Sequence, residues 1–438
     1  MISVEKNEKQ NIQINQRTCR ISGWQTDVVS IDHHHHHDYH TSLTDNHTTA
    51  TTSTILYPHT IFLFIPGNPG CVEWYIDMLY KIVETLGVGY AVRGISHAGH
   101  GVGENMIEVH DNHNDNGGGV RIPEAGKVDH NSTTGRSGTA SDFSSPSTTE
   151  EEPSKHYIPR LKRKAKIAFT IDGQVEHKLE WIDLIHSEMI SLRQEQMDQN
   201  SMGSNNDSQS NSHLNSSVKF VFLTHSFGAH LVQRILLLRR DILLQTKNII
   251  HVTPFFRFDP DSWFQKQLLA TLGNAPKFTI QTLKSLMYII SFLPPKLVDL
   301  YMEKVASMPL AKDRKLAIDL YSQPQYIRNF FNLGCEEIRE IPEVFDLSAL
   351  QIIGESCPTS ILYSPHNDHW APLSHMEEII QAKKENSLPA NITVEYDKNI
   401  VHGFVVFPEM VRSVVHFVVK SVLSSKDSSN TADLQSKL

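Results

Sequence analysis

At 438 residues the chain is long enough for one large core with insertions and needs no cross-links to stabilise it. Its net charge of −9 and pI near 6.3 provide no basic field for DNA or RNA, so no nucleic-acid partner is expected. The four cysteines, Cys19, Cys71, Cys335 and Cys357, are scattered without a CxxC pair, which points to reduced thiols, and the first residues lack the apolar run of a secretory signal.

In chain order, residues 18–31 (TCRISGWQTDVVSI) supply the first antiparallel strands, and 32–54, with five histidines at 33–37 and a threonine run, is a polar insertion. A short central strand at 61–65 (IFLFI) ends in PGNPG (66–70), where glycines permit a bend that aims a backbone N–H into a cavity. Helix 72–86 and strand 88–96 follow, closing a first core portion over 1–101. Residues 102–165 carry too few large apolar side chains to offset the entropy of ordering, so disorder is expected there. The core resumes over 166–255 with a helix at 173–197 and a second polar insertion at 198–217.

The run KFVFLTHSFGAH (219–230) carries the most chemistry. An apolar strand gives way to Ser226, then Gly228, then a helical stretch expected to continue to residue 244. That pattern is a nucleophile elbow, a turn that lifts one serine hydroxyl above the sheet and presents the next N–H to the reacting carbonyl. A strand at 248–255 leads into residues 256–345, which break the strand and helix alternation and form a cap. Within the cap, 278–301 has apolar runs on either side of Pro294 and Pro295. It does not read as a bilayer-spanning helix, because the paired prolines bend or end a helix there; a hairpin lying in one leaflet or a lipid monolayer is expected, with cap helices packed on the core as the alternative.

The last core portion, 346–424, holds a strand at 358–365 with Asp368 just past its end and a strand at 391–397 with His402 in the following loop; 425–438 is a disordered tail. A serine hydroxyl needs a base and an orienting acid, and Ser226, Asp368, His402 is the chain order of α/β-hydrolases. The expected fold is therefore α/β, with a mostly parallel central sheet flanked by helices and a helical cap. The oxyanion hole is assigned to the N–H groups of Asn68 and Phe227. His225, beside the nucleophile, is assigned to packing or pocket lining, and His366 and His369 to local hydrogen bonds. His97 and His100 would be buried donors that stiffen the rim, and Glu176, His177 and Lys178 would be structural. Twenty-five histidines without HExxH or paired Cys and His spacing make no metal site, so neither metal nor cofactor is expected.

The segments LFIPGNPG (63–70), ISHAGHG (95–101), DGQVEHKLEWI (172–182), THSFG (224–228), NDHWAP (367–372) and NIVHGF (399–404) together resemble the lipid droplet-associated hydrolase family. The resemblance implies a serine hydrolase acting on lipid esters, such as sterol esters or acylglycerols, through an acyl-enzyme. It also implies a place on the lipid-droplet monolayer or the cytosolic face of the endoplasmic reticulum, with Ser226 as nucleophile, Asp368 as acid and His402 as base. One position departs from the family's GHSxG elbow: Thr224 stands where the first glycine would be, and its branched side chain is expected to crowd the turn. That departure keeps a second reading open, a droplet-surface scaffold with little or no turnover. Epoxide hydrolase and dehalogenase chemistry is disfavoured, since both use an aspartate where Ser226 stands.

Overall fold

A computed structural model describes residues 3–7, 12–33, 58–101, 170–203, 218–259, 261–270, 281–282, 285, 289, 292–364 and 368–424. Nine strands build one sheet: β1 (Ser3–Asn7), β2 (Ile12–Ile21), β3 (Trp24–His33), β4 (Thr60–Ile65), β5 (Tyr90–Ile95), β6 (Lys219–His225), β7 (Thr246–Val252), β8 (Thr359–Tyr363) and β9 (Ile392–Tyr396). Their spatial order is β1-β2-β3-β5-β4-β6-β7-β8-β9. The strands from β4 onward are mutually parallel, whereas β1, β2 and β3 form an antiparallel edge. A Ser22–Gly23 turn with both φ positive, at 50° and 83°, joins β2 to β3 in the primed-turn manner that suits a twisted hairpin.

Alternation along the central strands explains why both faces of the sheet are covered. In β4, Ile61, Leu63 and Ile65 pack with residues of α2 (Ile171–Gly203) and α3 (Phe227–Leu238), while Phe62 and Phe64 pack with α1 (Ile76–Leu86) and, at the C-terminus, Pro408–Ser424. A parallel sheet in this order, covered on both faces and carrying a serine at the β6–α3 turn, is the α/β-hydrolase fold.

Several elements differ in extent from the sequence expectation. The helix expected to reach 244 breaks at Arg239 (φ −122°, ψ 80°), giving α3 and then α4 (Arg240–Gln245); the Arg239 guanidinium at the break binds Asp183 and Asp241. The strand expected to reach 255 ends at Val252, because Thr253 turns to φ 42°. The helix expected over 173–197 begins at Ile171, with the Thr170 hydroxyl accepting from the Gly173 N–H, and runs six residues into the segment assigned to a polar insertion. Most of the polar insertions themselves, 34–57, 102–169 and 204–217, lie outside the described residues, as does the tail 425–438.

Between β7 and β8 come α5 (Trp263–Leu268), α6 (Pro295–Lys304), α7 (Ala311–Tyr321), α8 (Pro324–Glu340) and α9 (Leu347–Ser356), followed after β8 by α10 (Leu373–Lys384) and the C-terminal helix α11 (Pro408–Ser424). The apolar segment 278–301 is described only in part. Its second half starts α6, with Pro294 as N-cap and Pro295 in the first turn, where the missing N–H costs nothing. No described helix is long and apolar enough to cross a membrane.

Candidate active site

β6 delivers His225 to the carboxyl edge of the sheet, and the chain then reverses at Ser226 (φ 51°, ψ −124°) into α3. Two glycines let the loop after β4 press against this turn. A Cβ on Gly67 would lie 2.6 Å from the Ser226 Cβ, and one on Gly228 would sit against the carbonyl oxygens of Ile65 and Pro66. The Ser226 carbonyl accepts from Ala229 and Phe255 N–H, both at 3.0 Å, which fixes the reversal from within.

The three residues chosen from sequence meet at this edge. The Ser226 Oγ is 2.9 Å from His402 Nε2, and His402 Nδ1 is 2.9 Å from the Asp368 carboxylate. Since a carboxylate accepts, Nδ1 carries the proton and Nε2 is free to accept from the serine hydroxyl. Asp368 Oδ1 also takes N–H bonds from Trp370 and Ala371, each 2.9 Å. Burial works to raise the Asp368 carboxyl, yet the facing His402 and these two N–H groups outweigh it and hold the group below the usual carboxylate range. Asp368 thus stays ionised where it orients the imidazole. The Ser364 hydroxyl, donating to the Ile400 carbonyl at 2.6 Å, ties the end of β8 to the loop that carries His402.

His225 does more than pack. Its Nε2 lies 3.0 Å from the His402 carbonyl oxygen, which can only accept, so Nε2–H donates and Nδ1 accepts from the Tyr75 hydroxyl at 2.7 Å. Burial pushes this imidazole down to about 3, so it remains neutral in that tautomer. It therefore fastens the loop that carries His402 to Tyr75, just before α1, a role no local sequence pattern announces.

Thr224, expected to crowd the turn, has a hydrogen-bond partner across the sheet. Thr224 lies in register with His251 of β7, and its Oγ1 is 2.7 Å from His251 Nδ1, so the branched side chain fills a buried hydrogen-bonded slot. Close approach of strand and helix falls instead to Gly228.

His100 Nδ1 donates to the Pro69 carbonyl at 2.8 Å, bracing the 66–70 loop as expected. His97 departs from expectation: its ring nitrogens have no hydrogen-bond partner among the described residues, and the ring packs edge-on against Phe227 at 5.7 Å. Burial lowers both, His100 to about 4 and His97 well below the usual imidazole range. Lys178 is fully buried and donates to the Ser96 carbonyl at 3.0 Å, while His177 meets the Thr26 hydroxyl at 2.7 Å, so these two residues stitch α2 to β3 and β5. His369 stacks on Phe264 at 4.4 Å, and His366 lies outside the described residues.

Phe227 opens α3 directly after the serine, where helical N–H groups lack intrahelical partners. Asn68 sits in the loop pressed on the elbow, its side-chain amide 3.5 Å from the Phe330 carbonyl of α8. Among the described residues no group of three or more His, Cys, Asp or Glu is arranged to hold a metal ion.

A family model described as lipid-droplet associated hydrolase matches residues 58–117 and 143–405. No curated protein sequence matches the chain. Solved structures that resemble it include an epoxide hydrolase from Vigna radiata, 12% identical with a TM-score of 0.45 and covering 93% of this chain and 98% of that one. Epoxide hydrolase I of potato, Solanum tuberosum, is 12% identical with a TM-score of 0.44, covering 93% and 99%. The epoxide hydrolase CorEH is 11% identical with a TM-score of 0.47, covering 94% and 100%.

Proposed function

Because the chain belongs to the lipid-droplet associated hydrolase family, we propose that it is a serine hydrolase that cleaves carboxylic esters of lipids, sterol esters or acylglycerols, through an acyl-enzyme. The observation that carries this reading is the continuous relay Ser226–His402–Asp368, with both links at 2.9 Å. Ser226 Oγ attacks the ester carbonyl while His402 Nε2 takes its proton, and Asp368 stabilises the imidazolium. The developing oxyanion is received by the N–H groups of Phe227 and Asn68. Collapse expels the alcohol with the proton from His402, and water then repeats the sequence to release the acid.

The membrane side of the reading rests on α6. None of its residues is buried, and Leu297, Leu300 and Tyr301 are each more than half exposed, as is Val305 just beyond it. Such a face, near the exposed Phe292 and Leu293, suits a droplet monolayer or the cytosolic surface of the endoplasmic reticulum. The scaffold reading drew on crowding at Thr224, and the hydrogen bond between Thr224 and His251 speaks against it.

Labelling with a fluorophosphonate probe tests the reading. Wild type should be labelled at Ser226, Ser226→Ala should not be labelled, and His402→Ala should label at least about a hundredfold more slowly, as expected for loss of general-base assistance. Equal labelling of wild type and Ser226→Ala would remove Ser226 as the nucleophile.

A further inference from the structure

α8 lies along the loops that frame the elbow and meets them with one face, its contacts recurring at helical spacing. Asn329 Nδ2 donates to the Gly99 carbonyl at 2.6 Å, the Phe330 carbonyl faces Asn68 Nδ2, and one and two turns further on come Gly334 and Glu337. The Glu337 carboxyl lies against the Asn68 side-chain amide and is only 4% exposed. A carboxylate is among the costliest groups to bury without a cationic partner, and none is paired with it among the described residues. Asn68 Oδ1 and Glu337 Oε1 are also both buried without a partner among the described residues. Each orphaned oxygen is a lost hydrogen bond. A proton on the carboxyl would turn Oε1 into a donor for an acceptor such as Asn68 Oδ1, while the Asn68 amide donates to the carboxyl.

We propose that Glu337 acts as a neutral carboxylic acid and is a positioning residue, clamping the Asn68 side chain to α8 so that the Asn68 backbone N–H is held in the oxyanion hole. This rests on the serine-hydrolase reading, in which that N–H receives the oxyanion. The surroundings agree with a neutral acid: burial pushes the carboxyl up to about 8, with the Asn68 hydrogen bond opposing it. The titratable groups on the elements packed around α8 include His97 and His100 of the loop after β5, both kept neutral by burial, Asp172, Glu176, His177 and Lys178 of α2, and Tyr321 of α7, whose ring meets Tyr326. Asp172 acts on Glu336, Lys178 is turned to the Ser96 carbonyl, and none of these groups acts on Glu337. On α8 itself, Arg339 and Glu340 likewise act on Glu336. Above the raised pKa the acid loses the proton that closes the clamp, so Asn68 should loosen as pH rises through about 8.

The test measures the maximal fluorophosphonate labelling rate and the half-saturating probe concentration, across neutral to alkaline pH, for wild type, Ser226→Ala, Glu337→Gln and Glu337→Ala. The wild-type rate should fall as pH passes through about 8. Glu337→Gln, which donates and accepts as the neutral acid does at every pH, should match wild type within about twofold at neutral pH and lack the alkaline fall. Glu337→Ala should label roughly tenfold to a hundredfold more slowly with the half-saturating concentration little changed, since a misplaced oxyanion donor affects the transition state and not probe binding. An alkaline fall that persists in Glu337→Gln, or a wild-type rate in Glu337→Ala, overturns the proposal. If the alanine variant does not fold, the pH profile of the glutamine variant decides alone. Failure of the underlying reading is distinguishable: Ser226→Ala would then label as wild type does, and the clamp would fall with it.

Discussion

Two helices of the cap, α6 and α8, both open with proline in the first turn and both carry apolar residues along their length, yet they meet opposite fates. α8 buries Tyr326, Ile327, Asn329, Leu333, Cys335, Glu337 and Ile338 against the core and the loops of the elbow. α6 buries nothing and is held to its neighbour through the ion pair of Asp299 with Arg314 of α7. The contrast separates two jobs that one insertion performs. Under the proposed function α8 supports the catalytic apparatus, because its backbone and side chains touch the loop expected to bind the oxyanion. α6 has its apolar side free for a surface outside the chain, and under the proposed function that surface is lipid.

Charge placed on α6 should have the largest effect, and it should be an effect on binding alone. Each large apolar side chain withdrawn from lipid forfeits roughly 1.5–3 kcal/mol, so Leu297→Asp with Leu300→Asp should weaken binding to phospholipid-coated triglyceride emulsions by about a hundredfold or more. Flotation measures this, and the melting temperature and probe labelling should stay at wild-type values. Unchanged flotation would mean that α6 is not the anchor. The same substitutions causing unfolding would mean that α6 is packed as α8 is.

Truncation within α8 should act on stability instead. Leu333 is fully buried, and Leu333→Ala should destabilise by about 2–5 kcal/mol in urea unfolding, whereas Leu297→Ala on α6 should stay within about 0.5 kcal/mol. Equal losses would erase the distinction between the helices. Thr224→Val probes the elbow that α8 overlies: it keeps the shape of the side chain but leaves His251 Nδ1 without its partner, for an expected loss of about 1–3 kcal/mol. A neutral result would show that the threonine hydroxyl is dispensable.

The catalytic core was legible because its signals are local or ordered. The β6 run FVFL is unbroken and apolar just before THS, and the sheet brings the ends of β8 and β9 to the same edge as β6, so Asp368 and His402 could be placed from their strands alone. What escaped depends on partners distant in sequence. Thr224 looked like a source of crowding because its partner His251 lies on the neighbouring strand, 27 residues away. His225 looked like filler because its two partners, Tyr75 and the His402 carbonyl, lie 150 and 177 residues away. Glu337 carries no sequence signal of burial at all; a glutamate in a polar stretch of helix belongs by default to the solvent face, and only the docking of α8 on the 66–70 loop reverses that assignment. The break at Arg239 was equally hidden, since LLLRRDILL shows no helix-ending residue.

At φ 51° and ψ −124°, Ser226 occupies a backbone region that an L-residue enters at an expense of about 1–3 kcal/mol and glycine enters freely. Fold stability by itself would favour glycine at this position. Ser226→Gly and Ser226→Ala both delete the hydroxyl and its bond to His402, so comparing them isolates the backbone. The glycine variant should melt several degrees above the alanine variant, since about 1 kcal/mol moves the midpoint of a large domain by a few degrees. That would invert the ordinary ranking of the two residues and mark residue 226 as a place where the chain gives up stability to hold an oxygen atom in reach of a base.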